Sequence, residues 1–546
     1  MTGGNYSSSE TFSDAEQRML GPFFSNMDKS IFVLTNLPEV IKGTLFSRYS
    51  RTDKSVRKIL LDEFMANKDI FEQKEGGTTA GAASFILNQE KAEQFYERVL
   101  VGYGDDSVAE LAGVHVACES VSSLAADQLT DSRIGISPLE KSARYVLFDK
   151  KVNGKYLWYR EPKIMESKFE PMYTELMDRI FDQYVEWMPR VNAHVKAVTP
   201  KDPTATDRAY ETACRAQACD ILKNMLTAGR LTNIGLFGNG RSFEYLLTKL
   251  YSSNLTEAQN IASELHAELR KALPSFVKRA QLSEYITGTR AEMQAFAGTI
   301  GASPAQQEEQ PYLKLMDFEP DGEEKVLAAM LYPYSSKPLA QLRAEIRAMP
   351  QEKRRELAKA YLSKRRNRRD KAGRALENLF YTFEMCANYG IFRDIHRHRV
   401  LSTERQALTA NLGYDLPVEL ADIGLDKEYK TLMEDCKRAY KAIAAEMPVE
   451  AQYVVPRSFH LRWYIKMNLR EIHHLTELRS QRQGHPDYRK LAQNMKRLVA
   501  EQHPTLTEYM QVDMNDYALA RIESEKRIDE KMAKLNAKMQ QEQDKK

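Results

Sequence analysis

Across most of the chain apolar side chains recur at i, i+3, i+4 and i+7, and strict alternation is scarce, so the pattern predicts a helix-rich protein with some strand. The longest helical pattern runs from Asp106 to Leu129, capped by Asp106 or Ser107, and places His115 on an Ala-rich face that reads as core. The pattern fades at both ends. Residues 1–25 are rich in Ser and Gly, and 523–546 are charged with few apolar anchors, which predicts two disordered tails without chemistry. It fades again at FAGTIGASPAQQEEQPY, residues 296–312, whose Gly, Pro, Gln and Glu resist helix and sheet. That linker divides the chain into a first domain, 26–295, and a second, 313–522.

The two domains carry a diverged repeat. FGNGRSFEYLLTKL (237–250) lies over KMNLREIHHLTELR (466–479) without gaps, matching Asn239 with Asn468, Arg241 with Arg470 and Leu246 with Leu475. Upstream, Glu110 precedes Arg133 by 23 residues and Glu377 precedes Arg399 by 22. Matches in the same order in both parts point to a tandem duplication.

Composition changes this picture only by exclusion. The 546 residues hold 79 Lys and Arg against 76 Asp and Glu, a net charge of +3, so bulk charge does not hold the protein to nucleic acid or membrane. An anionic ligand has to be met locally. Five cysteines (Cys118, Cys214, Cys219, Cys386, Cys436) form no CxxC pair, which fits a reducing compartment. The N-terminus lacks the basic start and apolar run of a signal peptide, and no stretch of 18 apolar residues occurs. A cytoplasmic protein that does not span a membrane is expected.

The densest chemistry lies in FRDIHRHRVLSTERQ (392–406), where Arg393, His396, Arg397, His398 and Arg399 fall within seven residues. Arginine offers planar, bidentate donors to phosphates and to the electron-rich edge of a ring system, and histidine shares a proton near neutral pH. RHR followed by a Ser-rich loop resembles the signature of the flavin-dependent thymidylate synthases. Arg397, His398, Arg399 and Ser402 match its first part, whereas Ala407 and Thr409 replace its later Ser and Arg. DSRIGISPLEKSARY (131–145) is similar to the same signature with the opposite loss. There Asp131 and Ser132 replace the leading Arg and His, and Glu140, Ser142 and Arg144 survive after one inserted residue. YGDDSVAEL (103–111) resembles a further family element, retaining Ser107 and Glu110 and replacing its histidines by Asp105 and Leu111.

The resemblance implies a mixed α/β, helix-rich fold of two tandem domains of this family, and a division of labour between them. In the family the RHR end contacts FAD, and the later Glu, Ser and Arg hold dUMP. On the cofactor side it implies Arg397, His398, Arg399, Ser402, Asn468, Arg470 and His474, with Ser107 and Glu140 from the first domain. On the substrate side it implies Glu140, Ser142, Arg144, Lys223, Arg397 and Arg479, with Arg479 polarising the uracil. Lys223 stands where the family has its phosphate-binding Arg; the second copy has Gln452 there, and the first copy has Leu250 in place of Arg479. Each half is broken, and the losses are complementary, so one composite site per two halves is expected. The reaction implied is reductive methylation of dUMP to dTMP with methylenetetrahydrofolate and NADPH as co-substrates. A homodimer of tandem chains would imitate the family's tetramer.

Other readings bound this one. Seven of the ten histidines follow residue 395, and His396, His398, His473 and His474 could be drawn as a metal site, but no Cys cluster or i,i+4 His pair supports it, and no metal is expected. KRRNRRDK (364–371) reads as a solvated face, with an approach to cofactor phosphate as the alternative; no aromatics interleave with it as a nucleic-acid groove needs. Trp158, Trp187, Trp463, Tyr145 and Tyr159 read as core or interface. Three classes of function stay open: a thymidylate synthase, the same chemistry on another pyrimidine, and a non-catalytic nucleotide-binding relative.

Overall fold

The computed structural model describes residues 10–66, 71–73, 85–87, 109–132, 134–300 and 311–543. The fold is α+β and helix-rich, with small sheets, and the duplication is visible in it. In the second copy a four-stranded antiparallel sheet has the spatial order Leu313–Phe318, Phe380–Asn388, His460–Asn468, Leu401–Arg405. In the first copy a three-stranded sheet has the order Gly113–Ser122, Leu231–Asn239, Ile136–Glu140. The three shared strands come in the same order in both.

Alternation explains why these strands form. Tyr381, Phe383, Met385 and Ala387 point inward from Phe380–Asn388, and they face Met467, Ile465, Trp463 and Leu461 across the antiparallel register. Thr232, Ile234, Leu236 and Gly238 repeat that parity on Leu231–Asn239. Each central strand ends on an asparagine that caps the next helix. Asn239 Oδ1 accepts the Ser242 N–H at 2.9 Å to start Gly240–Tyr251, and Asn468 Oδ1 accepts the Glu471 N–H at 2.9 Å to start Leu469–Arg479.

The described chain divides into two compact units. The first comprises residues 1–118, 128–139 and 234–304; the second comprises 119–127, 140–233 and 305–546. The second unit therefore contains part of the first copy, including the long helices Glu170–Val198 and Asp207–Leu222, together with the whole second copy. Trp158, Trp187 and Trp463 are core residues, each 2% exposed or less.

Five sequence expectations are corrected. The helix expected over Asp106–Leu129 is, where described, a strand at Gly113–Ser122 followed by a helix at Ser123–Thr130. The β-branched Val114, Val116 and Val121 suit a pleated surface, and the small residues Ala117 and Cys118 mask the alternation in the sequence. His115 is accordingly exposed on that strand, its ring 4.5 Å from that of Phe237. The N-terminal tail is ordered from residue 10: Asp14–Leu20 is a helix with a Ser13/Glu16 capping box, and Leu20 is fully buried. The C-terminal tail forms the helix Ile522–Gln543, held by ion pairs from Glu525 and Asp529 to Arg208 and from Lys526 to Asp202. Finally, the helix Glu284–Ile300 runs into the first five residues of the expected linker without burying any side chain.

Candidate functional site

Two of the cavities within the second unit, each of about 270 Å³, gather the residues in question. One is walled chiefly by guanidinium groups. Its lining includes Glu140, Ser142, Arg144 and Lys223 from the first copy and Arg397 and Arg479 from the second, which are the six residues expected at the substrate. Lys141, Arg230, Arg393 and Arg457 add a cationic excess that the motifs did not predict, and Ala143, Asp394 and Tyr488 complete the lining.

The charges of this arginine cavity are held in place by a few buried carboxylates. Asp220 lies 3.0 Å from both Lys223 Nζ and Arg144 Nε. Burial raises the Asp220 carboxyl, but Lys223 and Arg144 outweigh it and hold it well below the usual range. Burial pulls Lys223 down to about 8 against the opposing pull of Asp220. Glu140 accepts from Arg393 Nη2 at 2.7 Å and lies 3.8 Å from Arg230. Burial would raise it, yet Arg393, Arg397 and Arg230 keep it at about 2. Arg393 is further tied to Asp127, and Arg397 to Asp394 at 2.7 Å. Arg230 and Arg457 each retain buried N–H groups that meet no acceptor, and burial, followed by the neighbouring Arg457, lowers Arg230 to about 9. Such a wall has donors to spare and suits an anion. Tyr488 stands among them, its ring 5.3 Å from the Arg144 guanidinium and 5.4 Å from that of Arg479.

The second, the histidine cavity, is lined by Arg365, Arg368, Lys371, Asn468, Arg470, His473 and His474 and by the carboxylates Glu377, Glu471 and Glu477, with Ala372 and Val400 as apolar wall. Arg470 donates to Glu377 at 2.6 Å and to the Ala372 carbonyl at 2.8 Å, and Lys371 lies 3.0 Å from His474 Nδ1. The basic run is thus corrected in part. Arg365 is buried in a two-pronged pair with Glu477 (2.9 and 2.6 Å), and Arg368 and Lys371 reach the cavity, whereas Arg366 is 85% exposed as expected of a solvated face.

His398 is buried beside both cavities, its Nδ1 2.7 Å from Glu471 Oε1 and its Nε2 accepting from Arg479 Nε at 3.0 Å. Glu140 and Arg397, expected at both ligands, line only the arginine cavity, and His398, expected at the cofactor, lines neither. Arg399 and Ser402 are exposed and line neither; Ser402 sits on the edge strand opposite Lys466. Ser107 lies outside the described residues. His398, Glu471 and His474 place three ligand-type atoms within 4.8 Å of one another. The Arg479 and Lys371 cations already occupy ring nitrogens of these two histidines, which opposes a further cation there.

The residues replacing the lost motifs in each copy have structural partners. Asp131, opposite Arg397 in the repeat, is ion-paired with Lys249, and Leu250, opposite Arg479, is 1% exposed. Gln452, opposite Lys223, accepts the Leu408 N–H at 3.2 Å and donates to the Val449 carbonyl at 3.0 Å.

These features define a chain with one family domain used twice, and comparison with known proteins identifies the family. The sequence profile of the thymidylate synthase complementing protein family matches residues 64–275 and again 314–505. The chain belongs to that family, as a tandem duplication. It is 42% identical over 531 residues to a UPF0159 protein of Chlamydia muridarum (strain MoPn / Nigg), covering 94% of this chain and 98% of the relative. It is 40% identical over 534 residues to a UPF0159 protein of Chlamydia pneumoniae, covering 95% and 98%. A UPF0159 protein of Thermoplasma acidophilum is 33% identical over 517 residues, covering 89% and 98%. The similarity spans nearly the whole length of these relatives, which is consistent with the same tandem arrangement. Among the described residues no helix is long and apolar enough to cross a membrane.

Proposed function

We propose that the protein is a flavin-dependent thymidylate synthase that methylates dUMP at a composite site, with the arginine cavity as the nucleotide site. One observation carries this reading: the substrate residues surviving in each degraded copy line the same hollow. Lys223 and Arg144 meet the phosphate as paired cations, pre-positioned by the Asp220 they share. Arg479 has only donors to offer, so it favours the carbonyl edge of uracil over the 4-amino group of cytosine. As negative charge develops on the ring, a fixed guanidinium in a site shielded from water stabilises it without reorganising.

The cavity containing Asn468, Arg470 and His474 fits part of FAD by its donor set. Arg368, Lys371 and Arg470 offer positive charge to an anionic cofactor, and Ala372 and Val400 offer an apolar face to a ring. When bound, FAD supplies the redox chemistry that links NADPH and methylenetetrahydrofolate to methylation of the pyrimidine. The protein's own part is to orient the two ligands and to hold Arg479 at the nucleotide.

The test is formation of dTMP from dUMP, methylenetetrahydrofolate and NADPH by the purified protein, run beside dCMP, together with rescue of a thymidine auxotroph. Turnover of dUMP with dCMP inert is expected. A protein that binds flavin but turns over neither nucleotide would refute the reading.

A further inference from the structure

We propose that Glu471 is a positioning residue, which through His398 fixes the imidazole tautomer that holds Arg479 at the nucleotide cavity. The inference rests on the proposed function for its catalytic consequence, but its structural core stands on geometry. Arginine has no acceptor, so the 3.0 Å contact from Arg479 Nε obliges His398 Nε2 to present its lone pair. The ring proton of neutral His398 must then sit on Nδ1, where Glu471 Oε1 lies 2.7 Å away to accept it. The opposite tautomer, or an imidazolium, would aim two N–H groups at each other. Burial and then Arg479 push His398 well below its ordinary value, which keeps the ring neutral.

The position of Glu471 is set by the strand-to-helix turn: it is the third residue of Leu469–Arg479, and its own N–H is held by the Asn468 cap. It is 6% exposed and lines the histidine cavity, whereas Arg479, at the other end of the helix, lines the arginine cavity. A chain of two hydrogen bonds thus links the two cavities through His398. With its Nε–H committed to His398, Arg479 keeps its four Nη hydrogens for a ligand.

The duplication supplies an independent observation. The register that matches Asn239 with Asn468 puts Ser242 opposite Glu471 and Leu250 opposite Arg479, and the DSR sequence puts Ser132 opposite His398. All three members are replaced together in the copy whose helix does not end in a donor. A carboxylate serving only the cap or the packing of this turn would have no reason to go with the other two, since the Asn239 cap persists there.

Two measurements test the proposal. In protein labelled with ¹⁵N-histidine, with His398 assigned from the loss of its signals in His398→Gln, a neutral Nδ1–H tautomer is expected between pH 7 and 8. An Nε2–H tautomer or an imidazolium at His398 would overturn the proposal whether or not the protein makes thymidylate. In steady-state kinetics on dUMP, Glu471→Leu, which keeps volume and removes the acceptor, should lower kcat per bound flavin by about 100-fold with KM for dUMP within about twofold. Glu471→Gln keeps an acceptor and should recover most of the rate. A Leu variant with native kcat, or a Gln variant as impaired as Leu, would also overturn it. An Nδ1–H tautomer in a protein inert towards dUMP would instead reject the proposed substrate and leave the tautomer relay standing.

Discussion

Arg479 and Leu250 occupy the same place in the two copies, and their surroundings show what each contributes. Arg479→Ala should leave flavin bound and lower turnover by at least two orders of magnitude, because a fixed donor to developing charge is worth about 3–4 kcal/mol. Leu250→Ala, at a fully buried position, should instead cost about 2–5 kcal/mol in denaturant unfolding and leave kcat unchanged in the folded fraction. Arg144→Ala should weaken nucleotide binding by about 1.5–3 kcal/mol in titration. Lys223 adds a pH dependence. Its pKa of about 8 lies below the ordinary 10.5, so it carries charge below pH 8 and loses it as pH rises through that value. Nucleotide affinity should therefore fall above about pH 8, and the fall should vanish in Lys223→Met; an unchanged profile in that variant would assign the titration elsewhere. At this scale motif and residue type together singled out Glu140, Ser142, Arg144, Lys223, Arg397 and Arg479, and what the structure adds is that they line one cavity. Arg230, Arg457 and Tyr488 were not legible, because they reach the cavity from turns and helices outside any motif and their role exists only through proximity.

Among the elements, the strand-to-helix turn is the part used twice. Asn239 and Asn468 make the same cap, so each should contribute about 1 kcal/mol to stability, measured by replacement with Ala. Only Asn468→Ala should also lower flavin content, since only Asn468 lines the histidine cavity; equal flavin loss in both variants would contradict the assignment. This turn could be read from the ungapped match of 237–250 with 466–479. The strand Gly113–Ser122 could not, because small residues such as Ala117 and Cys118 blur the distinction between periods of two and 3.6. The same limit applies to charge. Arg365 and Arg366 are neighbours in one basic run, yet one is buried against Glu477 and the other is solvated, and only the partner distinguishes them.

For the whole molecule, the duplicated strand order shows that the two copies kept a common architecture while residues of their matched motifs diverged. We expect the purified protein to be yellow with one FAD per chain, because Asp131 and Ser132 have replaced the leading Arg and His of the first copy. Two flavins per chain by absorbance and protein quantitation would refute the division of labour. We also expect a dimer of chains in light scattering, by analogy with the family's tetramer of single-domain subunits; a fully active monomer would contradict it. The division into two units was not legible in the sequence, since the linker marks the end of a repeat and says nothing of which copy residues 140–233 pack with.

The arginine cavity, lined from both copies, has a consequence for heredity. Tandem copies in one gene are open to gene conversion, which overwrites one with the other and keeps many repeats alike. Here a chain rebuilt from two first copies would contain Lys223 and Arg144 twice and no counterpart of Arg479, and one rebuilt from two second copies would contain Arg479 twice and Gln452 in place of Lys223. The first event would erase two of the six residues proposed for the substrate and the second would erase four, each in a single step. On the proposed composite site, each half is a part that the other cannot replace, and the divergence between them is something selection has to defend.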